Sequence, residues 1–140
     1  MILFCDTSAL VKLYIAEPGS DITHEAARES QALAVSRIAW AEFHAALARR
    51  ARLVAADEPA LEQARAALAS DWRHFLIIEV SQPVVELAGA HADLYALRAY
   101  DAVQLASADH LAAHAGKPVH FACFDRRLNN AAHARGMVCI

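Results

Sequence analysis

A chain of 140 residues and 15.2 kDa has room for one domain, 1–140, and buries enough surface on folding to need no disulfide or metal staple. With 57% hydrophobic and 21% charged residues it is neither disordered nor a coiled coil. Its net charge of −3, from 13 basic against 16 acidic residues, excludes a protein that coats nucleic acid by bulk positive charge.

The first apolar run, Ile2 to Cys5, reads as a buried strand that ends directly on Asp6. Its short length and the acid at its end also exclude an ordinary signal peptide. A second short strand spans Leu33 to Val35. It leads into a helix on which Trp40, Phe43, Leu47, Ala51 and Val54 recur at three- and four-residue steps, a core-facing stripe. Glu42 lies in the first turns of that helix, and Arg49, Arg50 and Arg52 stand at its far end. A helical stretch from about Glu58 to Trp72 precedes a third strand, Phe75 to Val80. Further helices run from about Pro83 to Leu97 and from Ala102 to Ala115, the latter opened by Asp101 and stopped by Gly116-Lys117-Pro118. A fourth strand, Val119 to Phe124, ends on Asp125, and a fifth covers Met137 to Ile140.

Five strands separated by helices predict an α/β domain: a parallel five-stranded sheet with helices on both faces. Right-handed crossovers place the starts of the following helices along the carboxyl edge of the sheet, where ligands bind. No apolar run reaches the roughly 18 residues of a membrane span. Cys5, Cys123 and Cys139 each sit in a short apolar segment and read as buried, reduced thiols, so a cytoplasmic protein is expected.

Asp6, Glu42, Asp101 and Asp125 all fall at that edge. As single residues, Asp6, Asp101 and Asp125 are also good helix N-caps, and Asp101 with Gln104 resembles a capping box. Taken together they can converge on one pocket. Carboxylates about 4 Å apart repel by several kcal/mol even at an effective dielectric near 20, so such a pocket raises their pKa values or demands a cation. Hard oxygen ligands select Mg²⁺ or Mn²⁺ over zinc, and that chemistry serves phosphodiester hydrolysis.

Four segments carry a family resemblance. Asp6-Thr7-Ser8-Ala9-Leu10-Val11-Lys12-Leu13-Tyr14 resembles the first motif of the PIN-domain ribonucleases, in particular the VapC-type toxins of toxin–antitoxin pairs. Ser36-Arg37-Ile38-Ala39-Trp40-Ala41-Glu42 is similar to the segment with the family's glutamate, Leu97 to Ala106 to that with its third acid, and Phe124 to Leu128 to the fourth. The resemblance implies a three-layer PIN-like fold and a metal-dependent endoribonuclease. In it, Asp6, Glu42, Asp101 and Asp125 bind Mg²⁺ or Mn²⁺ and Ser8 supports the site through its hydroxyl. It further implies an RNA substrate, a cognate VapB-type antitoxin and a toxin homodimer. Cys123 departs from the hydroxyl residue that relatives often place two positions before the fourth acid. Asp109, two turns beyond Asp101, receives no ligand role.

Other readings are weaker. His110 and His114 are one helical turn apart but lack the glutamate of a metalloprotease motif, so they read as a solvated helix face. Arg49, Arg50 and Arg52 read as helix-end charge, with a contact to substrate backbone away from the metal as the alternative. A catalytically silent binding module keeps the fold without needing all four acids. A phosphotransferase of the aspartyl type needs a second acid where Ser8 stands.

Overall fold

The computed structural model describes residues 1–140. Five strands form one all-parallel sheet: β1 (Ile2–Cys5), β2 (Ala32–Ser36), β3 (Leu76–Ile78), β4 (Val119–Ala122) and β5 (Val138–Cys139), in the order β3-β2-β1-β4-β5. The helices are α1 (Thr7–Lys12), α2 (Ser20–Glu29), α3 (Ala39–Leu53), α4 (Glu58–Asp71), α5 (Gln82–Tyr95), α6 (Ala99–His114) and α7 (Arg126–Ala134).

Side-chain alternation along the strands separates two cores. Ile2, Phe4, Ala34 and Phe121 join α5, α6 and α7 on one face of the sheet. Leu3, Cys5, Val35 and Ala122 join α1 to α4 on the other. Phe4 stacks on Phe121 with ring centroids 5.8 Å apart. The chain winds outward from β1 through β2 to β3, then returns to β4 and continues to β5. Right-handed crossovers require the helices of those two halves to lie on opposite faces. The winding reverses between β1 and β4, and a crevice opens outside the carboxyl ends of strands at such a switch point.

The α/β sheet and its five strands match the sequence expectation, with β3, β4 and β5 shorter than their apolar runs. One local reading is corrected. Helix α6 begins at Ala99, with Arg98 in the capping position, so Asp101 sits inside the first turn and caps nothing. The segment Leu97-Arg98 follows Ala96, whose φ of 53° turns the chain sharply after α5 and lets α6 start early. Helix α2 carries no large apolar stripe; it buries Thr23 completely and Ser20 and Ala26 nearly so.

Asp109 does not face the carboxyl edge. Its Oδ2 accepts from the buried His91 ring at 2.8 Å and from Arg135 Nε at 2.8 Å, tying α5, α6 and the end of α7 together. Removing one partner of a largely buried charged group leaves the others unpaired, so Asp109→Ala is expected to cost about 2–3 kcal/mol. Urea unfolding measures that cost, and any catalytic activity measured well below the melting temperature should stay unchanged.

Candidate active site

The switch point holds a cleft of about 400 Å³ lined by Asp6, Ser8, Glu42, Asp101, Gln104 and Asp125, with Thr7, Lys12, Glu17 and Arg50 completing its walls. Hydrogen bonds fix three of the acids, those of Asp6 and Asp125 local and those of Glu42 between distant segments. Asp6 leaves β1 in extended conformation and caps α1: Ala9 N–H donates to its Oδ1 at 3.0 Å and Ser8 Oγ donates to the same oxygen at 2.7 Å. Asp125 caps α7, its Oδ1 accepting from Leu128 N–H at 2.8 Å. Glu42 Oε1 accepts from Thr7 Oγ1 at 3.0 Å and from Gln104 Nε2 at 2.7 Å. In each case the chain's N–H and O–H donors fall on one carboxylate oxygen and none reaches the second; the Cys123 thiol is a further partner of Asp6. Capping and site-building are thus the same interaction at Asp6 and Asp125.

Asp101 lines the cleft and accepts no hydrogen bond from the protein. The carboxylates line the cleft without closing into a cage: no three His, Cys, Asp or Glu groups stand close enough to hold a metal ion together. Mutual repulsion favours that spread. Burial, with Glu42 adding repulsion, raises Asp6 to about 6 despite the bonds from Ser8 and Ala9. Burial and the nearby Asp125 also raise Asp101, against the pull of Arg98 and Arg127. Those arginines, with Arg126 and Asn130, form a second depression that shares Asp101 and Asp125 with the cleft. Acids at the centre and cations at the rim suit a polyanion whose backbone crosses the acidic floor.

Cys123 occupies the position of the missing hydroxyl. Its Sγ accepts from Asp125 N–H at 3.2 Å, and Ser8 Oγ accepts from Phe124 N–H at 2.9 Å. Sulfur and Ser8 together therefore hold the β4–α7 turn. All three cysteines are free; Cys5 and Cys123 are buried and Cys139 half-buried. Arg50 overturns the reading of the basic triplet. It turns into the acidic cleft and pairs with Glu17, while Arg49 and Arg52 stay exposed. Its position eight residues after Glu42, with Ala46 between, is the helical spacing that could have placed it on the same face. Gln104 and Glu17 also line the cleft, and no local sequence pattern marks either as a site residue. His110 and His114 stack against each other on α6, His114 Nδ1 standing 2.7 Å from the His110 carbonyl oxygen.

The PIN domain model matches residues 3–134, and the chain belongs to the PIN-domain family. It is similar to proteins named Ribonuclease VapC45 and Ribonuclease VapC49 of Mycobacterium tuberculosis, each 38% identical over 96% of this chain and 92% of the relative. Ribonuclease VapC46 of the same species is 33% identical over 99% and 95%. Among solved structures, a toxin–antitoxin complex from Klebsiella pneumoniae superposes with TM-score 0.62 at 22% identity, covering 89% of this chain and 87% of that one. VapBC2 from Rickettsia felis, bound to a promoter DNA fragment, gives 0.63 at 15%, covering 100% and 98%. These likenesses show the shared three-layer fold.

Proposed function

We propose that the chain, acting as a single domain over 1–140, is a Mg²⁺- or Mn²⁺-dependent endoribonuclease and the toxin of a toxin–antitoxin pair. The observation that carries this reading is the set of four acids at the β1/β4 switch point, three of them anchored through one oxygen by N–H and O–H donors. The all-oxygen chemistry of these side chains, rather than their spacing, fits a hard divalent cation. Asp6, Glu42, Asp101 and Asp125 would hold it. When bound, the cation supplies charge neutralisation for the phosphodiester and lowers the pKa of water, so hydrolysis needs no 2′-hydroxyl.

The chain's own residues do the rest. Ser8 and Ala9 fix the plane of the Asp6 carboxylate. Thr7 and Gln104 hold Glu42 against α1. Arg98, Arg126 and Arg127 bind the RNA backbone beside Asp101 and Asp125, bringing the scissile phosphate over the acidic floor. The names of the similar proteins support RNA as the substrate, and the cationic rim suits a phosphate chain. Incubating RNA with the protein plus Mn²⁺, against the same mixture with EDTA, tests the activity. The expected products carry 5′-phosphate and 3′-hydroxyl ends; a 2′,3′-cyclic phosphate would overturn the reading.

Gln104→Leu should keep the fold, since it removes a buried, partnerless Oε1 and gives up only the Nε2 bonds to Glu42 and Thr7. It should weaken Mn²⁺ affinity roughly 10- to 100-fold, because Glu42 loses the donor that orients it. Isothermal titration with Mn²⁺ measures this directly.

The toxin role, a VapB-type antitoxin and a homodimer complete the proposal. An acidic pocket is best silenced by a guanidinium inserted among the carboxylates. Tyr14, Trp40, Phe43 and Trp72 are the aromatic candidates to line a groove for an antitoxin helix, but Phe43 is fully buried and belongs to the core. Tyr14 packs on Phe43 and donates to Asp71 at 2.9 Å. Trp40 and Trp72 remain partly exposed, their rings in a T-shaped contact. Expression alone should arrest growth and co-expression with the antitoxin should restore it; harmless expression of an RNA-cleaving protein would remove the toxin role. No helix is long and apolar enough to cross a membrane, and a cytoplasmic location belongs to the same proposal.

A further inference from the structure

The turn Glu17-Pro18-Gly19-Ser20 between α1 and α2 presses on the wall of the cleft. Ser20, itself buried, pins it: its Oγ accepts from Glu17 N–H at 3.0 Å and donates to the Ile15 carbonyl at 3.0 Å. Gly19 has φ +93°, and a Cβ there would stand 2.6 Å from the Phe124 ring and 3.2 Å from Lys12 Cδ. Only glycine lets the turn lie so closely on both side chains. Glu17 is thereby aimed into the cleft, where Oε1 accepts from Lys12 Nζ at 2.8 Å and Oε2 pairs with Arg50.

Lys12 is held by Glu17 and by the Phe124 ring. Its side chain is 12% exposed, its ammonium lies 4.6 Å from the centre of the Phe124 ring, and it lines the cleft together with Asp6. An ammonium has three donors; one goes to Glu17, and no other protein oxygen accepts from it. A semi-buried Lys–Glu pair is a poor source of stability, because desolvation offsets most of its attraction. A fixed cation with spare donors beside an acidic floor is instead a preorganised charge for an anion.

We propose that Lys12 contacts the substrate: its ammonium donates to a non-bridging oxygen of the phosphodiester lying over the acids, and Glu17 is the positioning residue that aims it. The proposal rests on the ribonuclease reading above. Lys12 stabilises charge that grows as the phosphorus is attacked, so its loss should act mainly on kcat.

The test compares single-turnover and steady-state cleavage of one RNA oligonucleotide in Mn²⁺. Lys12→Met should lower kcat about 100-fold with KM changed less than about threefold, and should leave the melting temperature near that of the parent. Lys12→Arg should retain part of the rate. Glu17→Gln, which keeps a neutral acceptor, should lose about tenfold in kcat. Ethylammonium added to Lys12→Ala should restore rate in a saturable manner, which a purely structural lysine would not allow. Lys117→Met, on an exposed turn, should match the parent. Parental rates in Lys12→Met, or a loss that follows melting temperature and that amine does not rescue, would overturn the proposal. Failure of the unaltered protein to cleave in any divalent cation would instead overturn the ribonuclease reading, and it is visible before any variant is made.

Discussion

Asp6→Asn is expected to abolish RNA cleavage while making the protein more stable. Its Oδ1 can still accept from Ser8 and Ala9, so α1 keeps its cap, Asn capping about as well as Asp. What is lost is the charge. Several kcal/mol of transition-state charge stabilisation correspond to about 10³-fold in rate, and Asp101→Asn should fall by a similar factor. The stability gain follows from linkage. Asp6 is raised in the folded protein from 3.8 to about 6, so between those values the native state binds the proton that the unfolded chain has released. Stability therefore falls as pH rises through that window, by on the order of 3 kcal/mol at neutral pH without a cation. The asparagine variant escapes that loss, and its urea midpoint should exceed the parent's at pH 7.5 and match it near pH 4. A variant that cleaves RNA at the parental rate, or that unfolds at neutral pH, would contradict this account of Asp6.

Mn²⁺ should restore the stability that the ionised acids remove. A ligand that binds only the native state at 100 times its Kd adds about 2.7 kcal/mol, or roughly 8 °C of melting temperature in a chain of this size. Protons compete for the same oxygens. The shift should be large at pH 7.5 and should shrink as pH falls below about 6, where Asp6 is protonated. Asp6→Asn and Asp101→Asn should lose most of it, whereas Asp109→Ala, whose carboxylate serves His91 and Arg135, should keep it. A melt indifferent to millimolar Mn²⁺ at pH 7.5 would mean that the four acids do not act together.

The strands were legible because each is a short, predominantly apolar run, the pattern that a sheet covered on both faces imposes. Asp6 and Asp125 were legible because they end such runs, which places them at the carboxyl edge in any right-handed α/β winding. Asp101 was legible as the opening of a helix at that edge, but it does not cap that helix. Asp-x-x-Gln looks like a capping box by spacing alone, yet Gln104 bonds to Glu42, 62 residues away. Such a contact depends on how two helices approach, and no local pattern encodes it. Lys12, Glu17 and Arg50 share that difficulty: the ion pair between Glu17 and Arg50 joins positions 33 apart. Helix α2 escaped notice because it buries Thr23 and Ala26 where a visible stripe would carry Leu or Ile.

The central claim is that Asp6, Glu42, Asp101 and Asp125 form one cation-dependent centre that hydrolyses RNA. A 3′-labelled RNA oligonucleotide, incubated with the purified protein and with Asp101→Asn in parallel, each in Mn²⁺ and in EDTA, tests it most directly. The account predicts internal cleavage by the parent in Mn²⁺ alone, with 5′-phosphate on the downstream product. Cleavage that persists in EDTA, or that Asp101→Asn performs at the parental rate, would contradict it.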